Sequence, residues 1–354
     1  MLNENNKQFL KEVDRIIIPL GLKCNLKCRH CIQNSNKMYG FKYEENCISD
    51  DLIELLTYWS HVCQYVAERK IFQKPTIIFY GGEPLVYFDK IKKIVGLLFE
   101  AGFDFAKVDF KIFSNMILLN EEMVLFFNKW HFKVGLSADG PNLKYVRPEF
   151  PDDDKIRLWK TIENRFVVCT IMAGNPDFVK NVLFLKKRFD VDVIDVELVC
   201  VGWDMDKDIF DFKKSIMEGA FKKIILYYSG HKLDDAFYSF FRTFFSDLIL
   251  KSRYNTFVVD CFGNVGVSRF YNAPLGTIND DLFDLKKRSS EICSARILNG
   301  CKCCSSMNHC YVKDYLQDLR YKDVPGYYCN YVKIFTELVD KYKAELVNLI
   351  RRYD

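Results

Sequence analysis

The chain has 354 residues, 49% of them hydrophobic, with 51 Lys and Arg against 47 Asp and Glu for a net charge of +4. That length and apolar share suit one large α/β unit with a smaller appendage, and the weak, dispersed charge argues against a nucleic-acid partner. No run reaches the roughly 18 apolar residues of a membrane span, and the polar start MLNENNKQFLKEVDR lacks a secretion-signal core. A cytoplasmic protein with no membrane partner is therefore expected, whose 14 cysteines serve metal binding and not a disulfide framework.

In chain order, six continuous apolar or β-branched runs read as strands covered on both faces: 15–21, 76–82, 109–115, 132–140, 165–172 and 191–200. Helical patterns separate them. Ser49 reads as the N-cap of a helix over 49–70, with Leu52, Leu55, Leu56, Trp59 and Val62 at helical spacing. A second helix stops at Gly102, and a third starts with Asn175 as cap and Pro176 at its first position. Further helical patterns cover 206–229 and 232–252. A hairpin then turns at Gly263-Asn264, a Cys-rich segment follows, and an amphipathic helix over 331–352 ends the chain. Six βα units in a row predict a parallel sheet with right-handed crossovers, either curled into six-eighths of a TIM-type barrel or laid out as a flat doubly wound sheet.

The stretch GLKCNLKCRHC places Cys24, Cys28 and Cys31 directly after the first strand. A structural zinc site closes its shell with four protein ligands, and these three thiols reach four only if His30 joins them. Functional groups of parallel α/β folds gather at the carboxyl ends of strands. Here GGEP (81–84), SN (114–115) and SADGP (137–141) end the second, third and fourth strands, so four signals are expected to face one cavity.

Cys-x3-Cys-x2-Cys after a first strand, with GGEP after the second, resembles the radical S-adenosylmethionine (SAM) superfamily. The resemblance covers about residues 14–200. It implies an α/β fold, a partial (β/α)6 TIM-type barrel at residues 1–230, and a small C-terminal Cys-rich domain at 231–354. It also implies a [4Fe–4S] cluster held by Cys24, Cys28 and Cys31, its fourth iron chelated by SAM. One electron from an external donor such as flavodoxin or ferredoxin then splits SAM to a 5′-deoxyadenosyl radical. On the same resemblance Gly81, Gly82 and Glu83 meet the methionine moiety, and Ser114, Asn115, Ser137 and Asp139 are candidates for ribose and carboxylate contacts. Arg147 is a candidate partner of the SAM carboxylate, and His30 lies beside the adenine. Competing readings make Glu83 a capping acid, Ser137 and Asp139 a simple turn, and Arg147 a surface side chain.

Cys301-x2-Cys304-x5-Cys310, with Cys329 nineteen positions on, resembles the SPASM extension of peptide- and protein-modifying radical SAM enzymes. Ser268 and Asp314 stand where that pattern has cysteines, so one auxiliary [4Fe–4S] cluster is expected at Cys301, Cys304, Cys310 and Cys329. Four thiolates also suit zinc, and Cys303 competes as a ligand. Cys261, at the hairpin, is a candidate hydrogen-atom donor, with a functionless buried thiol as the alternative. Cys47, Cys63, Cys169 and Cys200 are expected in the core.

The expected reaction is hydrogen abstraction from a residue of a ribosomally made precursor peptide, ending in an intramolecular crosslink. The alternatives are peptide epimerisation, protein side-chain maturation as in anaerobic sulfatase activation, small-metabolite oxidation and a non-catalytic zinc-binding interaction protein. About fourteen residues precede the first strand, too few for an N-terminal leader-binding domain, so a separate leader-binding protein is a possible partner.

Overall fold

The computed structural model describes residues 2–31, 47–63, 74–141, 146–199, 207–241, 256–266, 274–295 and 326–352. After α1 (Glu4–Glu12), strands and helices alternate: β1 (Arg15–Pro19), α2 (Asp50–Val62), β2 (Thr76–Tyr80), α3 (Phe88–Glu100), β3 (Asp109–Ser114), α4 (Glu121–Lys129), β4 (Lys133–Ser137), α5 (Asp153–Lys160), β5 (Arg165–Ile171), α6 (Phe178–Phe189) and β6 (Ile194–Leu198). α7 (Lys214–Gly230) and α8 (Asp235–Phe241) precede β7 (Thr256–Val259), β8 (Asn264–Gly266) and β9 (Pro274–Thr277). α9 (Leu282–Ala295), α10 (Gly326–Lys341) and α11 (Lys343–Arg351) close the described chain.

The strand order is β6-β5-β4-β3-β2-β1-β7-β8-β9, with every pair from β6 to β7 parallel and the last two antiparallel. The first six strands therefore lie in chain order. A doubly wound sheet begins in its middle and reverses; this winding does not reverse, and right-handed crossovers then place the helices on one face. That is the winding of a partial barrel.

The pleat sorts the side chains. Ile16, Ile18, Ile77, Phe79, Phe110 and Ile112 belong to the core beneath the helices. Ile17, Ile78 and Val258 form a separate cluster with Tyr80 and Phe113 on the other face. On the helix side Phe79, Phe110 and Phe132 pack with ring centroids 5.0 to 5.9 Å apart. Burying each ring contributes about 2–3 kcal/mol, which gives the phenylalanine-rich composition a structural purpose. On the inner face Gly135 makes room for Phe166, whose ring a Cβ there would strike at 2.6 Å.

Element boundaries differ from expectation where polar groups are claimed by tertiary contacts. Ser49 occupies the N-cap position of α2, but its side chain makes no cap bond; its backbone N–H donates to the Cys261 carbonyl at 2.8 Å. α6 begins at Phe178, not Pro176, with Asp177 as its N-cap, because the Asn175 side chain donates to the Asp139 carbonyl instead. The terminal helix is two helices joined at Tyr342. α3 is followed by Gly102 at φ +79°, a left-handed stop. The expected hairpin forms as β7 and β8, and β7 pairs with β1 within the same sheet. The sheet thus runs across the expected division between residues 230 and 231. Among the described residues no helix is long and apolar enough to cross a membrane.

Candidate functional site at the carboxyl ends of the strands

The loop after β1 is bound edge-on to the loop after β2. Gly82 N–H donates to the Gly21 carbonyl and Glu83 N–H to the Lys23 carbonyl, both at 3.0 Å. Lys23 N–H in turn donates to the Tyr87 hydroxyl at 2.6 Å. The approach is so close that a Cβ on Gly81 would lie 2.5 Å from the Gly21 carbonyl oxygen, and one on Gly82 2.3 Å from that of Lys23. Glycine is required at both positions by backbone contact, and the consequence is a fixed path for the segment leading to Cys24.

Cys24, Cys28 and Cys31 all lie in this loop, and all are partly exposed. Burial pushes the Cys28 thiol up to about 11, against the opposing pull of the Arg147 cation, and burial likewise raises Cys24. Among the described residues no three His, Cys, Asp or Glu side chains converge on a single metal ion. Cluster ligation does not demand such convergence, because each thiolate binds its own iron.

Arg147 is not a surface side chain; its exposure is 10%. Its Nε donates to Asp139 Oδ2 at 2.7 Å, Nη1 lies 3.8 Å from Cys28 Sγ, and Nη2 lies 3.4 Å from His30 Nε2. Asp139 is 1% exposed and also accepts from the Thr170 N–H at 3.1 Å. Burial pushes this carboxyl up, but Arg147, His30 and Thr170 outweigh it and hold it below the usual carboxylate value. Burial lowers His30 to about 4, so the ring is neutral near pH 7, and its buried Nδ1 has no partner among the described residues.

Glu83 is 2% exposed. One oxygen accepts from Leu85 N–H at 3.0 Å, capping the 3-10 turn Pro84–Tyr87, and the other from Asn115 N–H at 2.9 Å. The Ser114 hydroxyl donates to it as well. Glu83 therefore ties the end of β2 to the end of β3. The Asn115 side chain donates to Asn25 in the cysteine loop at 2.9 Å, while Ser114 Oγ accepts from Met116 N–H. Ser137, the last residue of β4, is partly exposed at the same rim.

The structure thus draws Cys24, Cys28, His30, Cys31, Gly81, Gly82, Glu83, Ser114, Asn115, Asp139 and Arg147 together at one end of the sheet through hydrogen bonds and close backbone contact. Cys261 lies apart from it, 1% exposed at the end of β7, its Sγ 3.9 Å from the Pro19 carbonyl. Burial pushes its thiol up to about 12. Cys63 and Cys169 are buried as expected, but Cys47 is exposed, because it precedes α2 outside the packed face. Cys329 lies in α10, partly exposed. Cys301, Cys303, Cys304, Cys310, Cys200, Ser268 and Asp314 fall outside the described residues.

Sequence reasoning missed five contributors. Asn25, Thr170 and Asn175 carry no motif. Asn181, fully buried on α6, donates to the Asn175 carbonyl at 3.1 Å; its signal was a polar residue in an otherwise apolar helical stripe. Arg29 grips Asp208 through two contacts of 3.1 Å and ties the cysteine loop to the 3-10 turn Lys207–Ile209, a pairing across 179 positions that spacing cannot reveal.

Residues 18–165 match the family model described as the radical SAM superfamily. The radical SAM cyclopropyl synthase TigE of Paramaledivibacter caminithermalis is 23% identical over 197 residues, 52% of this chain and 39% of the relative. A serine-type anaerobic sulfatase-maturating enzyme of Bacteroides thetaiotaomicron is 25% identical over 189 residues, 51% of this chain and 38% of its own. The alignments thus span about two fifths of the length of these curated relatives. Among solved structures, native anSMEcpe with bound AdoMet and Cp18Cys peptide superposes with TM-score 0.66 at 18% identity, covering 96% of this chain and 99% of that one. Streptococcus suis SuiB bound to precursor peptide SuiA gives TM-score 0.57 at 15% identity, covering 88% and 74%. Residues 18–165 of the chain are thus similar to the radical SAM superfamily in sequence, and the chain shares the fold of these solved structures.

Proposed function

We propose that the chain is a radical SAM enzyme that abstracts a hydrogen atom from a residue of a peptide, with a ribosomally made precursor as substrate and an intramolecular crosslink as product. The observation that carries this reading is the union of the three-cysteine loop with the ends of β2, β3 and β4 through backbone and side-chain contacts. The donor set fits a [4Fe–4S] cluster with SAM: three partly buried thiols, a buried cation against one of them, and a buried histidine nitrogen without a partner among the described residues. Cys24, Cys28 and Cys31 would hold the cluster. When bound and reduced by a flavodoxin- or ferredoxin-type donor, this pair supplies a 5′-deoxyadenosyl radical.

The protein's own residues do the positioning. Gly81 and Gly82 let the two loops meet, which fixes the path of the segment that ends in Cys24. Glu83 holds β2 to β3, and its two oxygens keep lone pairs beyond the three donors they accept, available to the SAM ammonium group. Ser114, Asn115 and Ser137 line the rim where the ribose would lie, and Asp139 anchors Arg147. A guanidinium has five N–H donors; those not spent on Asp139, Cys28 and His30 are available to the SAM carboxylate. Cys301, Cys304, Cys310 and Cys329 are assigned to one auxiliary cluster within a C-terminal domain at 231–354.

The peptide substrate class is supported by similar folds captured with a bound peptide and by a sulfatase-maturating relative in sequence. Co-expression with a short reading frame adjacent to the gene, followed by mass spectrometry of the peptide, tests it. A product two hydrogens lighter is expected. Peptide of unchanged mass and unchanged stereochemistry, from enzyme that cleaves SAM, would reject the substrate class.

A further inference from the structure

We propose that Arg147 is a positioning residue that sets the reduction potential of the cluster at Cys24, Cys28 and Cys31, through its N–H contact with Cys28 Sγ. The inference rests on the functional reading above and concerns a different interaction from the SAM carboxylate pairing. The guanidinium is nearly buried, with Nη1 3.8 Å from the sulfur. It cannot swing away, because Nε is locked to Asp139 at 2.7 Å. Asp139 is itself clamped by the Thr170 N–H through its carboxylate and by Asn175 through its carbonyl. The Arg147–Asp139 pair is an oriented dipole with its cationic end on the ligand sulfur and its anionic end turned back into the protein. The paired carboxylate limits the cost of burying the charge. Hydrogen bonds to cluster sulfurs and nearby charge are the protein's means of tuning such centres. A fixed donor with positive charge at a thiolate favours the reduced cluster, which carries one more negative charge, and so raises its potential. His30 packs against the same guanidinium, its Nε2 3.4 Å from Nη2.

The test is an EPR-monitored redox titration of the full chain, reconstituted anaerobically with iron and sulfide, in the absence of SAM. The signal of the SAM-binding cluster is identified by its change when SAM is added to a parallel sample, and the auxiliary cluster serves as an internal reference. Arg147→Met is expected to move the midpoint of the SAM-binding cluster to a more negative value and leave the reference in place. Arg147→Lys keeps the charge but not the planar fork that holds Asp139 and reaches Cys28 together, and its midpoint is expected between the two. If the Met variant fails to retain iron, the Lys variant decides alone. A wild-type midpoint in either variant at full iron content would overturn the proposal. A wild-type chain that forms no reducible cluster would overturn the functional reading, and this inference with it.

Discussion

The carboxylate of Glu83 satisfies Leu85 N–H, Asn115 N–H and the Ser114 hydroxyl. Removing a buried acceptor costs about 1–3 kcal/mol for each group left unpaired. The Ser114 hydroxyl can rotate to another acceptor but the two N–H groups cannot, so Glu83→Ala is expected to destabilise the protein by roughly 2–6 kcal/mol. Glu83→Gln, which keeps one acceptor oxygen, should fall between Ala and wild type; urea denaturation checks both. Gly82→Ala places a methyl group against the carbonyl oxygens of Leu22 and Lys23, backbone atoms that yield only if the loop moves. A loss of about 1–3 kcal/mol is expected, with a drop in iron bound after reconstitution greater than a surface Gly96→Ala control shows, since Gly96 has open space around it. The glycines and thiols were legible in the sequence because their spacing is local. The partners of Arg147 were not, because Asp139 and Cys28 reach it only after β4 and the cysteine loop converge; judged by residue type alone, an arginine belongs on the surface.

Between elements, α7 meets α10 through Glu218, which accepts from Lys341 Nζ at 2.7 Å and the Tyr342 hydroxyl at 2.9 Å. The hydrogen bond from Lys341, followed by that from Tyr342, lowers the Glu218 carboxyl from 4.5 to about 2. A carboxyl depressed by folding contributes stability that is present above its unfolded value and lost as pH falls through its folded one. The contribution of Glu218 is thus complete above about pH 4.5 and gone below about pH 2. Because the group is partly exposed, the effect is small and salt-sensitive. Glu218→Gln is expected to lower stability slightly at pH 7 and leave it unchanged below about pH 2, so that the acid limb of its unfolding curve is slightly flatter between about pH 4.5 and 2. Helix and strand existence was readable from periodicity, whereas helix starts were not. Ser49 and Asn175 both have N-cap chemistry, yet the Ser49 side chain makes no cap bond and the Asn175 side chain is claimed by the Asp139 carbonyl.

For the molecule as a whole, the six βα units predict a parallel sheet but leave its closure open. The observed order decides for the partial barrel, since β1 to β6 follow one another without reversal. The return of β7 to the free edge of β1, pairing Arg15 with Thr256 across most of the chain, leaves no local signal and could not be read from the sequence. That pairing also sets Cys261 beside Pro19, the last residue of β1. The account turns on those thiols supporting reductive cleavage of SAM. The most direct measurement is 5′-deoxyadenosine formation by the anaerobically reconstituted chain with SAM and dithionite, compared with a Cys24→Ser, Cys28→Ser, Cys31→Ser variant. The account predicts product from the wild type and none from the variant; 5′-deoxyadenosine released equally by both would contradict it.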